Sequence, residues 1–251
     1  MELLARKSPL GVRAVAIQLG LPLGSVHRLL VDFEEAGIVE RTLSGEWELS
    51  FKLLEITGLQ LERIHFPALA RPFAEKIAEA TQETVNINVL SGLHGVSVDK
   101  VRGNERMQLD TRIGSRGSLH CGGAGKAMLA FLPEEDQRVV LDGPLESLTP
   151  KTLTNPAALK KELRRIRARG YSIDDQEVVM GIYCVSVPIL DANGRPAGAM
   201  SITGPTPKAA GAAIQPFVAM LNDACGFVSR KLGYRGDYPL GDAVGSTRRR
   251  A

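Results

Sequence analysis

The chain has 251 residues, 44% of them hydrophobic, and a formal net charge of +3. That is long enough for two hydrophobic cores and rules out a disordered or fibrous chain. No uncharged apolar run approaches the roughly 18 residues that span a bilayer, and Met1-Glu2 opens no secretory signal, so a cytoplasmic protein with no membrane partner is expected.

Cys121, Cys184 and Cys225 are far apart and form no CxxC pair; the expectation is reduced thiols, no metal and no cofactor. Residues 1–66 carry seven Lys or Arg against nine Asp or Glu, so a nucleic-acid role for this part must rest on geometry and not on bulk charge.

In chain order, Val12, Val15, Ala16 and Leu19 recur at helical spacing, and Gly20-Leu21-Pro22 stops that helix. A second helix has Val26, Leu29, Leu30 and Phe33 as its buried stripe and Gly37 as its left-handed end. Ile38 to Thr42, a Ser44-Gly45 turn and Glu46 to Leu49 read as a short hairpin. Helix, tight turn, helix and hairpin is the order of a winged helix-turn-helix, whose second helix enters a major groove. On that helix Ser25, His27 and Arg28 lie away from the apolar stripe, where they can reach base edges or phosphates, and Arg41 on the hairpin can reach the flanking backbone. A helical hairpin with no nucleic-acid role has the same spacing.

From Ser50, read as its cap, a single helix continues to Ile64 with Leu54, Thr57, Leu61 and Ile64 as a heptad-like seam. The seam fits either a second subunit or the helix's own domain. His65-Phe66-Pro67 ends it, which places a domain boundary at Pro67.

Beyond it, Leu69, Phe73, Ile77 and Ala80 mark a helix, Thr84 to Leu90 and Gly95 to Val101 two strands, and Gln108 to Ile113 a third. Ala124 to Phe131 and Glu134 to Leu141 read as helices. Asn155 caps another that starts with Pro156 and ends at Gly170, with Leu159, Leu163 and Ile166 facing inward. Its outer face carries Lys160, Lys161, Arg164, Arg165, Arg167 and Arg169 with no interleaved aromatic, which is a solvated face and not a nucleic-acid patch. Cys184 to Leu190 and Pro196 to Thr203 are strands about an Asp191 to Gly194 turn. A long helix runs from Thr206-Pro207 to Gly233 with a kink at Pro216, and residues after Tyr238 form a mobile tail. Strands paired in hairpins with helices between them predict an α+β chain built on an antiparallel sheet.

The order and content of four segments resemble the IclR-type transcriptional regulators over nearly the whole chain. They are LPLGSVHRLLVDFEEAGIVER (Leu21 to Arg41), ARPFAEKIAEATQETVNINVL (Ala70 to Leu90), GSLHCGGAGKAMLAFL (Gly117 to Leu132) and GYSIDDQEVVMGIYCVSVPILDANGRPAGAMSITGP (Gly170 to Pro205). The last is the most specific, being long and mixing glycines, acids, a cysteine and a proline in fixed order.

The resemblance implies a winged helix-turn-helix over residues 1–49, a linker helix over 50–66, a GAF-like effector-binding domain over 67–236 and a flexible tail over 237–251. It also implies self-association as a dimer or tetramer on a double-stranded DNA operator. Its effector pocket would be lined by Leu109, Leu119, Gly123, Ala124, Asp174, Cys184, Ser201 and Thr203, and its DNA-facing set would include Ser25, His27 and Arg28. Against the family pattern, only Glu2 to Lys7 precede the first loop. Leu23 and Gly24 stand where a polar or basic residue is usual, and Gly117 where a bulkier apolar residue is common.

The chemistry of these positions fits a small organic acid. The glycines of HCGGAGKA let backbone N–H groups crowd at a helix amino end carrying about half a positive charge. Ser201, Thr203 and Cys184 supply small donors and a soft wall, and Leu109 and Leu119 an apolar end. Two other readings use the same residues. Cys184, His120 and Asp174 are the types needed for a thiol nucleophile, base and orienting acid. The acidic amino-terminal part also fits an effector-binding module without DNA recognition.

Overall fold

The computed structural model describes residues 1–63, 65–103, 112–205 and 211–241. The chain divides into two compact units, 1–65 and 66–251. Among the described residues no single helix is long and apolar enough to cross a membrane.

The first unit contains α1 (Glu2–Lys7), α2 (Val12–Leu19), α3 (Leu23–Glu35), β1 (Val39–Arg41), β2 (Trp47–Leu49) and α4 (Lys52–Arg63). Gly20, at φ 64°, takes the left-handed conformation that ends α2, and Pro22 is the extended residue that starts α3. Between them the chain bends by 116°, within the range of helix-turn-helix units. Gly37, at φ 72°, closes α3 while the Ile38 N–H donates to the Phe33 carbonyl at 2.8 Å.

Leu4, Val15, Ala16, Val26, Leu30, Val39 and Trp47 form the unit's core. Leu29, expected in the buried stripe, is 46% exposed. The core that α3 shares is built from α1, α2 and the hairpin, and the buried stripe of α3 is narrow and centres on Val26 and Leu30. Ser50 does not cap α4; its hydroxyl donates to the Gly37 carbonyl and ties the hairpin exit to the end of α3. Of the heptad-like seam, Leu54 and Thr57 are exposed, and the side chains of Leu61 and Ile64 lie outside the described residues.

The second unit contains most of α5 (His65–Thr81), then β3 (Thr84–Ser91), β4 (His94–Val101), β5 (Arg116–Ser118), α6 (Gly123–Phe131), α7 (Glu134–Leu141), α8 (Pro156–Arg169), β6 (Ser172–Asp175), β7 (Ile182–Leu190), β8 (Pro196–Pro205) and α9 (Gln215–Lys231). The six strands form one antiparallel sheet in the order β5-β4-β3-β8-β7-β6. β5 and β6 were not expected, being too short for alternation to show. The strand expected over Gln108 to Ile113 falls for the most part outside the described residues.

One sheet face is aliphatic, with Val85, Ile87, Val185, Val187, Met200 and Ile202 all buried. α5 and α9 meet through Phe73 and Phe227, whose ring centroids are 5.0 Å apart. The other face is covered by α6, whose Ala127, Met128, Leu129 and Ala130 share a core with Leu159, Leu163 and Ile166 of α8. Asn155 caps α8 by accepting from the Ala158 N–H at 3.0 Å.

Pro216 does not kink a longer helix. It occupies the first turn of α9, where its missing N–H has no intrahelical acceptor to lose, after a short 3-10 turn over Gly211–Ile214. The start expected at Thr206-Pro207 lies outside the described residues. Residues 237–240, expected in the tail, are anchored: the Tyr238 hydroxyl donates to the Pro188 carbonyl at 2.6 Å, and Leu240 is buried.

Candidate functional site

In the first unit, α3 presents Ser25, His27 and Arg28 to solvent, with Leu23 and Leu29 beside them. They share the exposed side because Val26 and Leu30, one turn apart, take the buried one. Arg41 behaves differently. Its guanidinium pairs with Glu34 at 3.2 Å and lies 4.3 Å from the centroid of the Trp47 ring. It therefore braces the hairpin against α3.

In the second unit, strand pairing lays two cross-strand rows of polar residues on the sheet face beneath α6. Asn86, Ser201, Ser186 and Ser172 form one, and Thr84, Thr203, Cys184 and Asp174 the other. All eight are buried. A buried face normally excludes such residues unless hydrogen bonds satisfy them. Here Asn86 Nδ2 donates to Thr203 Oγ1 at 3.2 Å, Thr203 Oγ1 donates to Cys184 Sγ at 3.4 Å, and Ser172 Oγ donates to the Gly123 carbonyl.

Beside these rows opens a cavity of about 380 Å³, within the usual range for small-molecule sites. Of the eight residues expected to line it, Gly123, Ala124, Asp174, Cys184, Ser201 and Thr203 do. Leu119 does not: it packs with Met128 and Leu129 in the α6 core, while its neighbour Ser118 faces the cavity. Leu109 lies outside the described residues.

Asn86, Asn88, Arg116, Glu146 and Val178 also line the cavity and were missed. For the two asparagines a signal existed, since Thr84-Val85-Asn86-Ile87-Asn88 alternates polar and apolar in a strand both of whose faces are covered.

The amino end of α6 forms one wall. Gly122, at φ 73°, is the N-cap residue and supplies no side-chain acceptor to the first-turn N–H groups. Gly123 is required for close approach, because a Cβ there would lie 2.5 Å from Ser186 Oγ and 2.7 Å from Cys184 Sγ. Gly123→Ala is expected to lift this end of α6 from β7, costing about 1–3 kcal/mol as overpacking does, and to lower ligand affinity. Urea denaturation with calorimetric titration checks both; a variant with unaltered stability and affinity would contradict the close contact.

Asp174 is 4% exposed. Burial raises its carboxyl to about 6, even though Oδ1 accepts from the Glu177 N–H at 2.6 Å. Behind it, Lys126 is buried within α6, bonded to the Glu177 carboxylate and, at 2.7 Å, to the Ile173 carbonyl. Burial raises Glu177 as well, outweighing the pull of Lys126.

The geometry lends the nucleophile reading no support. Burial raises the Cys184 thiol, His120 Nε2 is engaged with the Glu146 carbonyl at 2.9 Å, and among the described residues no hydrogen bond joins Cys184, His120 and Asp174. A thiol held protonated and without a base is a poor nucleophile.

Two family models cover most of the chain. The IclR helix-turn-helix domain matches residues 1–43, and the bacterial transcriptional regulator IclR C-terminal domain matches residues 59–230. The chain belongs to the IclR family of bacterial transcriptional regulators.

Within that family it is 33% identical to the transcriptional repressor IclR of Escherichia coli K12, over 87% of this chain and 81% of that protein. It is 31% identical to the HTH-type transcriptional regulator BhcR of Paracoccus denitrificans, over 97% and 86%. The crystal structure of the Thermotoga maritima IclR superposes with a TM-score of 0.76 at 34% identity, covering 91% of this chain and 93% of that one. An IclR homolog from Microbacterium hydrocarbonoxydans, complexed with 4-hydroxybenzoate, has the same fold with a TM-score of 0.77 at 24% identity, covering 89% and 91%. The family's regulators carry the fold expected here, an α+β chain with an amino-terminal helix-turn-helix and a carboxy-terminal domain built on an antiparallel sheet with helices.

Proposed function

We propose that this regulator reads its operator with α3 and that a small organic acid in the cavity beside α6 modulates that binding. The observation that carries the reading is the meeting of a helix amino end without a side-chain cap, Arg116 and a buried polar sheet face around one small-molecule-sized cavity. The acid's carboxylate sits toward the α6 amino end and Arg116, and its body lies against Val178 and Cys184. That a protein of this fold was crystallised with 4-hydroxybenzoate accords with it.

On the DNA side, exposed Ser25, His27 and Arg28 are the proposed contacts, and Leu29 is placed to meet a thymine methyl. Arg41 supports the hairpin and contacts the flanking backbone only through its outer edge. Residues 1–49 form the DNA-binding domain, 50–66 the linker helix and 67–236 the effector domain of a cytoplasmic protein that is not an enzyme. The chain works as a dimer or a pair of dimers, which places two α3 helices roughly 34 Å apart on a palindromic site. Phe51, Leu54 and Leu59, exposed on or beside α4, support that pairing; sedimentation equilibrium showing a monomer at micromolar concentration would contradict it.

Arg28→Ala is expected to weaken operator binding by about 1–3 kcal/mol if it contacts a base, or to reduce the salt slope by about one if it contacts a phosphate. Effector affinity should be unchanged. Fluorescence anisotropy on the duplex upstream of the gene, at several salt concentrations, measures both. Undiminished binding by the variant would favour an effector module without DNA recognition.

A further inference from the structure

The proposed cavity contains an unanswered acceptor. Asn86 lines it, is 4% exposed, and its Oδ1 is buried without a hydrogen-bond partner among the described residues. The amide's orientation follows from the chain of bonds around it. The single hydroxyl proton of Thr203 goes to Cys184 Sγ, so Thr203 can only accept from Asn86, which turns Nδ2 toward Thr203 and leaves Oδ1 open. A buried carbonyl oxygen without a donor is destabilising until something donates to it. On β3 itself and on the neighbouring β4, Thr84 Oγ1 and Ser97 Oγ are likewise buried without a partner among the described residues. Their cross-strand partners are Thr203 and Asn88, which line the cavity, so both hydroxyls stand on its side of the sheet.

The cavity therefore combines the α6 amino terminus and Arg116, which attract an anion while the neighbouring Asp174 is protonated, with a sheet wall whose polar atoms want a partner. A simple alkanoate fills the first and leaves the second unmet. Resting on the reading that an organic acid occupies this cavity, we infer that the effector is a hydroxylated carboxylic acid whose hydroxyl donates to Asn86 Oδ1. Asn86 is then a specificity-determining residue. It rewards the hydroxyl and is indifferent to the carboxylate, because a site built to hydrogen-bond a hydroxyl penalises the analogue that lacks it.

The test is calorimetric titration of the full chain with matched pairs: lactate against propionate, 3-hydroxybutyrate against butyrate, and 4-hydroxybenzoate against benzoate. In at least one pair the hydroxy acid is expected to bind tenfold or more tightly. Asn86→Leu, of similar volume and with no hydrogen-bonding group, should abolish the difference in affinity within that pair. Thermal melting of the variant verifies that it folds.

Acids that bind the wild type without discrimination within any pair overturn the inference and leave the organic-acid reading standing, as does a preference that survives in Asn86→Leu. Should none of the six bind, both readings fall. The wild-type comparison decides the matter even if the variant does not fold.

Discussion

Above pH 6 the affinity of this protein for a carboxylate effector is expected to fall by up to about tenfold per pH unit, and below pH 6 to level off. The cause is Asp174, whose carboxyl lines the cavity beside α6 and is raised to about 6, chiefly by burial. Glu177, Lys126 and Asp175 act on it as well; Glu146 and Arg116 line the same cavity. Below pH 6 it is neutral and able to donate to the ligand. Above pH 6 it is an anion beside an incoming anion, and binding must take up a proton.

Titration with an acid that is ionised throughout the range, in buffers of different ionisation enthalpy, should show uptake approaching one proton at pH 8 and none at pH 5. Asp174→Asn should bind with the wild-type low-pH affinity at every pH. A pH-independent affinity in the wild type would mean that the ligand's charge lies elsewhere.

The same shift bears on stability, with a sign that can be worked out. A carboxyl raised in the folded state favours folding while protonated, and that contribution is lost as the pH rises from its ordinary 3.8 through about 6. Asp174→Asn is therefore expected to be more stable than wild type at pH 7.5, by at most about 3 kcal/mol, with the gap closing below pH 4. Binding chemistry here is maintained at some cost to the fold, as is common at functional sites.

Lys126→Met should produce the largest loss of stability of any substitution considered, about 3–5 kcal/mol at neutral pH. The ammonium is 1% exposed, bonded to the Glu177 carboxylate and to the Ile173 carbonyl. Removing it leaves an unpaired buried carboxylate next to Asp174, with desolvation and like-charge repulsion both uncompensated. Combining it with Glu177→Gln should recover more than half of the loss, because the neutral amide keeps a polar group without the charge. Urea melts of the single and double variants give the coupling directly. Additive losses would show that the ion pair is not what holds this end of α6 to β6.

Most of the helices were legible because their signals are local. Gly20 with Pro22, Gly37, Asn155 with Pro156, and Gly170 each act within one turn, and the apolar spacing of Leu159, Leu163 and Ile166 named the buried side of α8. Signals that depend on what covers a residue were not legible. Leu29 has the right spacing for the stripe of α3, yet it stays 46% exposed. Ser50 has the chemistry of a cap and instead donates to a carbonyl brought close by the hairpin. Pro216 reads as a kink or as a start, and only the preceding 3-10 turn decides.

The cavity divides in the same way. Gly123, Ala124, Asp174, Cys184, Ser201 and Thr203, singled out through the family resemblance, line one cavity. Asn86 joins them because β3 lies beside β8, which puts it opposite Ser201; the alternation within β3 marks its face but not that neighbour. Lys126 looks like a surface charge in sequence. It is buried because Glu177, 51 residues away, comes to meet it.

The account rests on one coupling: a ligand held beside α6 changes how tightly α3 holds DNA. The most direct measurement is the midpoint of operator binding by the full chain, followed by anisotropy on a labelled upstream duplex, with and without a saturating concentration of whichever acid calorimetry shows to bind. A coupling of about 1–3 kcal/mol would move that midpoint roughly 5- to 150-fold, and Asn86→Leu should raise the concentration of a hydroxy acid needed for the shift without altering the ligand-free midpoint. A midpoint unmoved by an acid bound in the cavity would contradict the account.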